Sequence, residues 1–97
     1  MKTYRLVFKA AALREWKKLG ATVRNQLAKK LSERLHAPRV ASAKLSGLPD
    51  CYKIKLRKAG YSLVYRVDDD RIVVIVISVG RRDDGGVYAE ASRRIKD

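Results

Sequence analysis

The sequence predicts an α+β fold: a small antiparallel β-sheet with an N-terminal helical hairpin packed on one face and a short C-terminal helix. Three observations carry this. Apolar residues recur at helical spacing over positions 12–35 and at strand spacing from position 51 onward, so helices and strands are grouped rather than alternating. The connections inside the strand region are only a few residues long, which makes neighbouring strands antiparallel. Finally, 97 residues, 46% of them apolar, provide one domain (1–97) with one modest core.

Positions 4–8 alternate Tyr4, Leu6 and Phe8 as a short strand does. Ala12, Leu13, Trp16 and Leu19 then fall at helical spacing, and Gly20 stands where a helix C-cap favours a residue tolerant of positive φ. Thr22 offers an N-cap for a second helix, which carries Val23, Leu27, Leu31 and Leu35 on one face and Arg24, Lys29, Lys30, Glu33 and Arg34 on the other. Pro38 ends it, and Pro38, Gly47 and Pro49 punctuate a loop to position 50.

Strands are expected over 51–57, 61–67 and 71–79, joined by Lys58-Ala59-Gly60 and Asp68-Asp69-Asp70. Residues 72–77 are apolar on both faces, which marks a central strand covered on both sides. Irregular chain is expected over 80–86, and a last helix over 87–95.

Lys and Arg number 23 against 10 Asp and Glu, a formal charge of +13. That much charge on a small body repels itself and draws polyanions, nucleic acid first, then an anionic membrane surface or an acidic protein. No apolar run approaches the roughly 20 residues that span a bilayer, and no signal-peptide core follows the N-terminus. The single Cys51 excludes an internal disulfide and a cysteine-based zinc cluster. A cytoplasmic protein is expected.

The 51–57 strand puts Tyr52, Ile54 and Leu56 on one face and Lys53, Lys55 and Arg57, with Cys51, on the other. Neighbouring cations then lie about 7 Å apart. Such a row serves either as a solvated edge or as a seat for a polyanion. Packed under the hairpin, the strand turns its basic side away from it, towards Arg82 and Tyr88.

Conventional hydrolase sets are missing. His36 ends the second helix and reads as a partner of the helix dipole. Asp68–Asp70 read as a turn, Asp83 and Asp84 as a loop, and neither metal nor cofactor is expected. What remains is Lys53, Lys55, Arg57, Arg81 and Arg82 among Tyr61, Tyr65 and Tyr88. Cations interleaved with rings suit single-stranded RNA, whose phosphates take the charge and whose bases take the rings. Tyr52, Tyr61 and Tyr65 are expected in core or cross-strand packing, Tyr88 exposed. A lysine serves as a base only if its pKa falls well below about 10.4, and a drop of about 3 units corresponds to roughly 4 kcal/mol. From charge alone, RNA binding comes before RNA cleavage.

The segments Leu13-Arg-Glu-Trp-Lys-Lys-Leu-Gly20, Pro49-Asp-Cys-Tyr-Lys-Ile-Lys-Leu-Arg57, Gly60-Tyr61, Leu63-Val-Tyr65, Val76-Ile-Ser-Val-Gly-Arg-Arg82 and Val87-Tyr88 resemble the bacterial RelE toxins of the RelE/ParE superfamily. The likeness runs from about position 6 to position 95. It implies the toxin of a type II toxin–antitoxin pair, a metal-independent endoribonuclease that cuts the codon in the ribosomal A site by 2′-OH attack. By position it implies Lys55 as general base, Arg82 as general acid, Lys53 on the charged transition state and Tyr88 orienting the nucleotide. Lys44, Arg57, Lys58, Arg66 and Arg81 would touch messenger and 16S ribosomal RNA of the 70S ribosome. The implied partner is a RelB-like antitoxin, through which alone operator DNA is bound, and no membrane is involved. Two positions depart from the family pattern: Ser62 and Ser46 stand where basic residues are familiar. Non-catalytic ribosome binding and ParE-like poisoning of gyrase are the alternative readings.

Overall fold

The computed structural model describes residues 3–81 and 86–96. In order the elements are β1 (Arg5–Phe8), α1 (Ala10–Lys17), α2 (Ala21–Arg34), β2 (Cys51–Leu56), β3 (Tyr61–Asp68), β4 (Val73–Arg81) and α3 (Gly86–Lys96), with a 3-10 turn at Ala41–Ala43. The short turns give the expected meander, β2 antiparallel to β3 and β3 to β4. Gly60 closes the first turn at φ 74°, its N–H on the Leu56 carbonyl at 2.8 Å.

The strand order is β1-β4-β3-β2, and β1 lies parallel to β4, Arg5 opposite Val73 and Phe8 opposite Val76. The sheet is therefore mixed, where a wholly antiparallel one was expected. Short turns fix direction only for the last three strands. Between β1 and β4 the chain runs through two helices and the other two strands, long enough to return in the same direction.

Both faces of the sheet are covered, as the double-sided apolar run of β4 requires. Ala12 of α1 and Leu27 and Leu31 of α2 pack on Tyr52, Ile54, Leu63, Tyr65, Val74 and Val76. On the opposite face, Val87 and Ala91 of α3 bury Cys51, Val64 and Ile77. A bulge between Val64 and Tyr65, opposite Ser78 and Val76, leaves Ile77 as the extra residue. Ile77 and Ser78 therefore both face α3.

Tyr65 is fully buried; its hydroxyl donates to the Pro38 carbonyl at 2.6 Å and accepts from Arg34 Nη1 at 2.9 Å. This ties the loop after α2 to the sheet, and the Tyr52 ring stacks on Tyr65 with centroids 5.7 Å apart. The turn aspartates have structural partners: Asp69 takes Arg39 and the Tyr4 hydroxyl, and Asp68 takes the Arg71 backbone N–H.

Several boundaries differ from expectation. Gly20 is extended (φ −63°, ψ 154°) and caps the start of α2, which begins at Ala21, ahead of Thr22. No left-handed residue is needed, because Lys18 ends α1 in the right-handed region and Leu19 turns into the core. β4 starts two residues late, since Ile72 takes φ 56° in the turn, and continues through Arg81. Among the described residues no helix is long and apolar enough to cross a membrane.

Candidate active site

The basic side of β2 faces α3, away from the hairpin. The alternation that buries Tyr52, Ile54 and Leu56 beneath α2 leaves Lys53 and Lys55 half-buried on the other face. Register then sets the neighbours: Lys53 lies opposite Val64, Lys55 opposite Ser62, and Ser62 opposite Gly80. A row crosses the sheet from Lys55 through Ser62. Tyr88, expected exposed, is half-buried, and its hydroxyl donates to Ser62 Oγ at 3.3 Å. Ser62 itself is fully buried. Lys53, Lys55 and Tyr88 thus share one face, while Arg82 lies outside the described residues.

Tyr88 reaches this row because α3 is pinned at both ends. At its start the Ser78 hydroxyl donates to the Val87 carbonyl at 2.7 Å. Gly80 gives the first turn room, since a Cβ there would stand 3.4 Å from Val87 Cγ2. At the far end Arg94 forks onto Glu15 of α1 at 2.9 and 3.0 Å and donates to the Ile77 carbonyl at 2.8 Å. Glu15 also accepts the Val79 N–H at 3.2 Å, and Lys9 Nζ donates to the Arg94 carbonyl at 3.0 Å. The Glu15 hydrogen bonds raise the Arg94 pKa above its ordinary value. Neither residue stands out in the sequence; they are 79 positions apart and no local pattern joins them.

The candidate RNA contacts spread around this face. Arg57 and Lys58 are exposed in the β2–β3 turn, next to Lys55. Arg66 is exposed on the α3 side opposite Cys51, four residues and about 13 Å along β3 from Ser62. Lys44 is exposed and pairs its backbone with Tyr52. Arg81 goes elsewhere: its guanidinium carbon lies 5.7 Å from the centroid of Tyr61, which packs against the hairpin-side core. Burial pushes the Cys51 thiol up to about 11, so it stays protonated at neutral pH and is no nucleophile.

The arrangement offers two lysines, a phenol and a hydroxyl on a rigid sheet, groups that bind phosphate and move protons without an imidazole. A family model described as the ParE toxin of the type II toxin–antitoxin system, parDE, matches residues 6–85. The chain is 60% identical over 92 residues to the mRNA interferase toxin RelE of Escherichia coli K12, covering 95% of this chain and 97% of that one. An arginine-to-alanine mutant of E. coli toxin RelE in the free state superposes with a TM-score of 0.89 at 58% identity, over 96% of this chain and 98% of that one. The toxin in the intact E. coli RelBE toxin–antitoxin complex matches at a TM-score of 0.79 and 62% identity, over 80% and 95% of the two chains.

Proposed function

The chain belongs to the RelE/ParE toxin family of type II toxin–antitoxin systems, and from that premise we propose that it cuts the messenger codon held in the ribosomal A site. It is an mRNA interferase toxin, held in check in the cytoplasm by a RelB-like antitoxin that also carries any binding to operator DNA. The observation that supports this reading best is the row of Lys55 and Ser62 with the Tyr88 hydroxyl bonded to it, Lys53 standing beside it on the same strand.

In this reading the amine of Lys55 removes the proton from a ribose 2′-OH. The freed oxygen attacks the adjacent phosphorus, and the P–O5′ bond breaks as Arg82 delivers a proton to the leaving oxygen. The products are a 2′,3′-cyclic phosphate and a free 5′-hydroxyl. Lys53 balances the charge that gathers on the phosphoryl oxygens, and Tyr88 orients the nucleotide. Lys55 must lose its proton before it acts as a base. Ser62 supplies a hydroxyl where the family pattern has a charged arginine. It contributes less to the transition-state charge and holds the Tyr88 phenol instead. Docking on 16S ribosomal RNA falls to Lys44, Arg57, Lys58, Arg66 and Arg81, helped by the net charge of +13.

Primer extension on a messenger under translation tests this. Lys55→Ala and Arg82→Ala are each expected to abolish codon cleavage while melting like the parent. Should both cut at the parent rate, the assignment of roles is wrong. Loss of DNA supercoiling by purified gyrase with the parent protein would point to gyrase as the target instead.

A further inference from the structure

One cation of α2 turns towards the sheet. Steps of four drift about 40° round a helix of roughly 3.6 residues per turn. At the end of α2 the sheet-facing side is therefore shared by Leu35 and Arg34, the latter three residues after buried Leu31. Arg34, grouped by its sequence pattern with Lys29 and Lys30, is half-buried where those two are exposed. Its Nη1 donates twice, to the Tyr65 hydroxyl at 2.9 Å and to the Lys53 carbonyl at 3.1 Å. The guanidinium carbon stands 5.8 Å from the centroid of the Tyr65 ring. Tyr65, buried and itself bonded to the Pro38 carbonyl, gives the guanidinium a fixed seat.

The bond to Lys53 lands on an edge that no further strand covers. β2 ends the sheet, and among the strands it pairs with β3 alone. Along its outer side the loop after α2 serves the first residues: the Leu45 N–H donates to the Cys51 carbonyl at 2.9 Å, and Lys44 bridges to Tyr52. Alternation points the Lys53 carbonyl the same way two residues on, and there a side chain takes over from the loop. The pinned peptide joins Lys53 to Ile54, so it lies between the two lysines of the reacting row. Lysines about 7 Å apart repel each other. A strand paired on one side also opens more readily than one paired on both.

Resting on the nuclease reading, we propose that Arg34 is a positioning residue for cleavage: its bond to the Lys53 carbonyl holds the edge of β2 between the two lysines and keeps both amines at one spacing under the reacting phosphate. Arg34 acts through the strand and touches no part of the messenger. Its contribution lies in the rate of the bound complex, not in binding.

The test compares two variants. Arg34→Met keeps much of the side chain's length and loses both donors. Tyr65→Phe leaves the bond to Lys53 in place and removes the other partner of the same nitrogen. Single-turnover cleavage on programmed ribosomes is read at a temperature where melting curves show both variants folded. Arg34→Met is expected to cut about tenfold slower at saturating toxin, the equivalent of one hydrogen bond to a charged group, with KM and the salt slope of binding unchanged. Tyr65→Phe should cut within about twofold of the parent although it is less stable. If both variants slow cleavage alike, the effect is one of general stability and the proposal is overturned. A loss in KM with a salt slope shallower by about one would make Arg34 a phosphate contact and overturn it too. So would the parental rate in Arg34→Met. If the parent cuts no messenger, the nuclease reading has failed on its own. Amide exchange then decides the pin: Ile54 and Leu56 should exchange about tenfold faster in Arg34→Met and not in Tyr65→Phe, and parental exchange in Arg34→Met overturns it.

Discussion

Replacing Glu15 by Gln should loosen α3 while leaving the sheet beneath it intact. Arg94 makes two charge-assisted hydrogen bonds to Glu15, with side-chain exposures of 16% and 33%. Hydrogen bonds to charged groups are worth about 1.5–3 kcal/mol, and partial exposure puts this pair at the lower end, about 2 kcal/mol. Glutamine keeps one acceptor for the Val79 N–H and removes the charge and the second oxygen. A cost of about 2 kcal/mol confined to the helix raises its local opening about 30-fold. Amide hydrogen exchange reads this directly: α3 amides should exchange about 30-fold faster, while those of β3 and β4, which open only with the whole molecule, slow or quicken far less. Exchange in α3 at the parent rate would mean the pair is as weak as most exposed ion pairs. Uniform acceleration of helix and sheet would mean that Glu15 serves the whole fold, and the reasoning about α3 would be refuted.

Tyr88→Phe and Ser62→Ala each remove the 3.3 Å hydroxyl contact, worth about 0.5–1 kcal/mol. Each should slow single-turnover cleavage two- to fivefold, by about the same factor, with the double variant no slower than either single one. Tyr65→Phe removes one partner each from the Pro38 carbonyl, which keeps the Val40 N–H at 3.0 Å, and from Arg34 Nη1, which keeps the Lys53 carbonyl at 3.1 Å, and should cost about 0.5–1.5 kcal/mol in urea unfolding, with the midpoint lowered and the slope unchanged. Burial raises the Cys51 thiol from 9.0 to about 11, so the folded state holds a proton that the unfolded chain releases. That stabilisation is whole below pH 9 and is lost as pH rises to 11, about 3 kcal/mol in all. The stability curve of Cys51→Ala should therefore be flatter than the parent's over that window, the raised Tyr4 and Tyr65 hydroxyls being common to both. Parallel curves would show that the thiol is not desolvated.

What was legible in the sequence was what a local period encodes. The stripe through Leu27 and Leu31, the two-faced run in β4 and the lysine face of β2 each depend on residues a few positions apart. Such spacing fixes which side chains share a face whatever else the chain does. The parallel docking of β1 depends on where a long crossover returns, and four residues carry no record of that. The fork of Arg94 on Glu15 joins two residues that are unremarkable in their own windows, and the bond from Tyr88 to Ser62 joins two positions that stand out singly but that no local spacing pairs. Arg81 shows the limit of parity. Beside Arg82 in sequence it reads as part of the basic face, but β4 continues through it, and Gly80 faces α3 while Arg81 turns to Tyr61.

The two kinds of placement have different consequences for the chemistry. Lys53 and Lys55 sit on a strand whose alternate residues are buried on the opposite face, so moving them means breaking the hairpin-side core. Tyr88 rides on a helix with a short apolar footprint, Val87 and Ala91 foremost, held in register by a few polar pins. On the roles proposed above, charge on the reacting phosphate would be set by the strand most deeply tied into the core, whereas orientation of the nucleotide would depend on bonds worth about 0.5–3 kcal/mol each. Variants that loosen α3 should therefore lower the rate of the bound complex with little change in the salt dependence of binding. Variants that remove cations from β2 or its turn should move the salt dependence first.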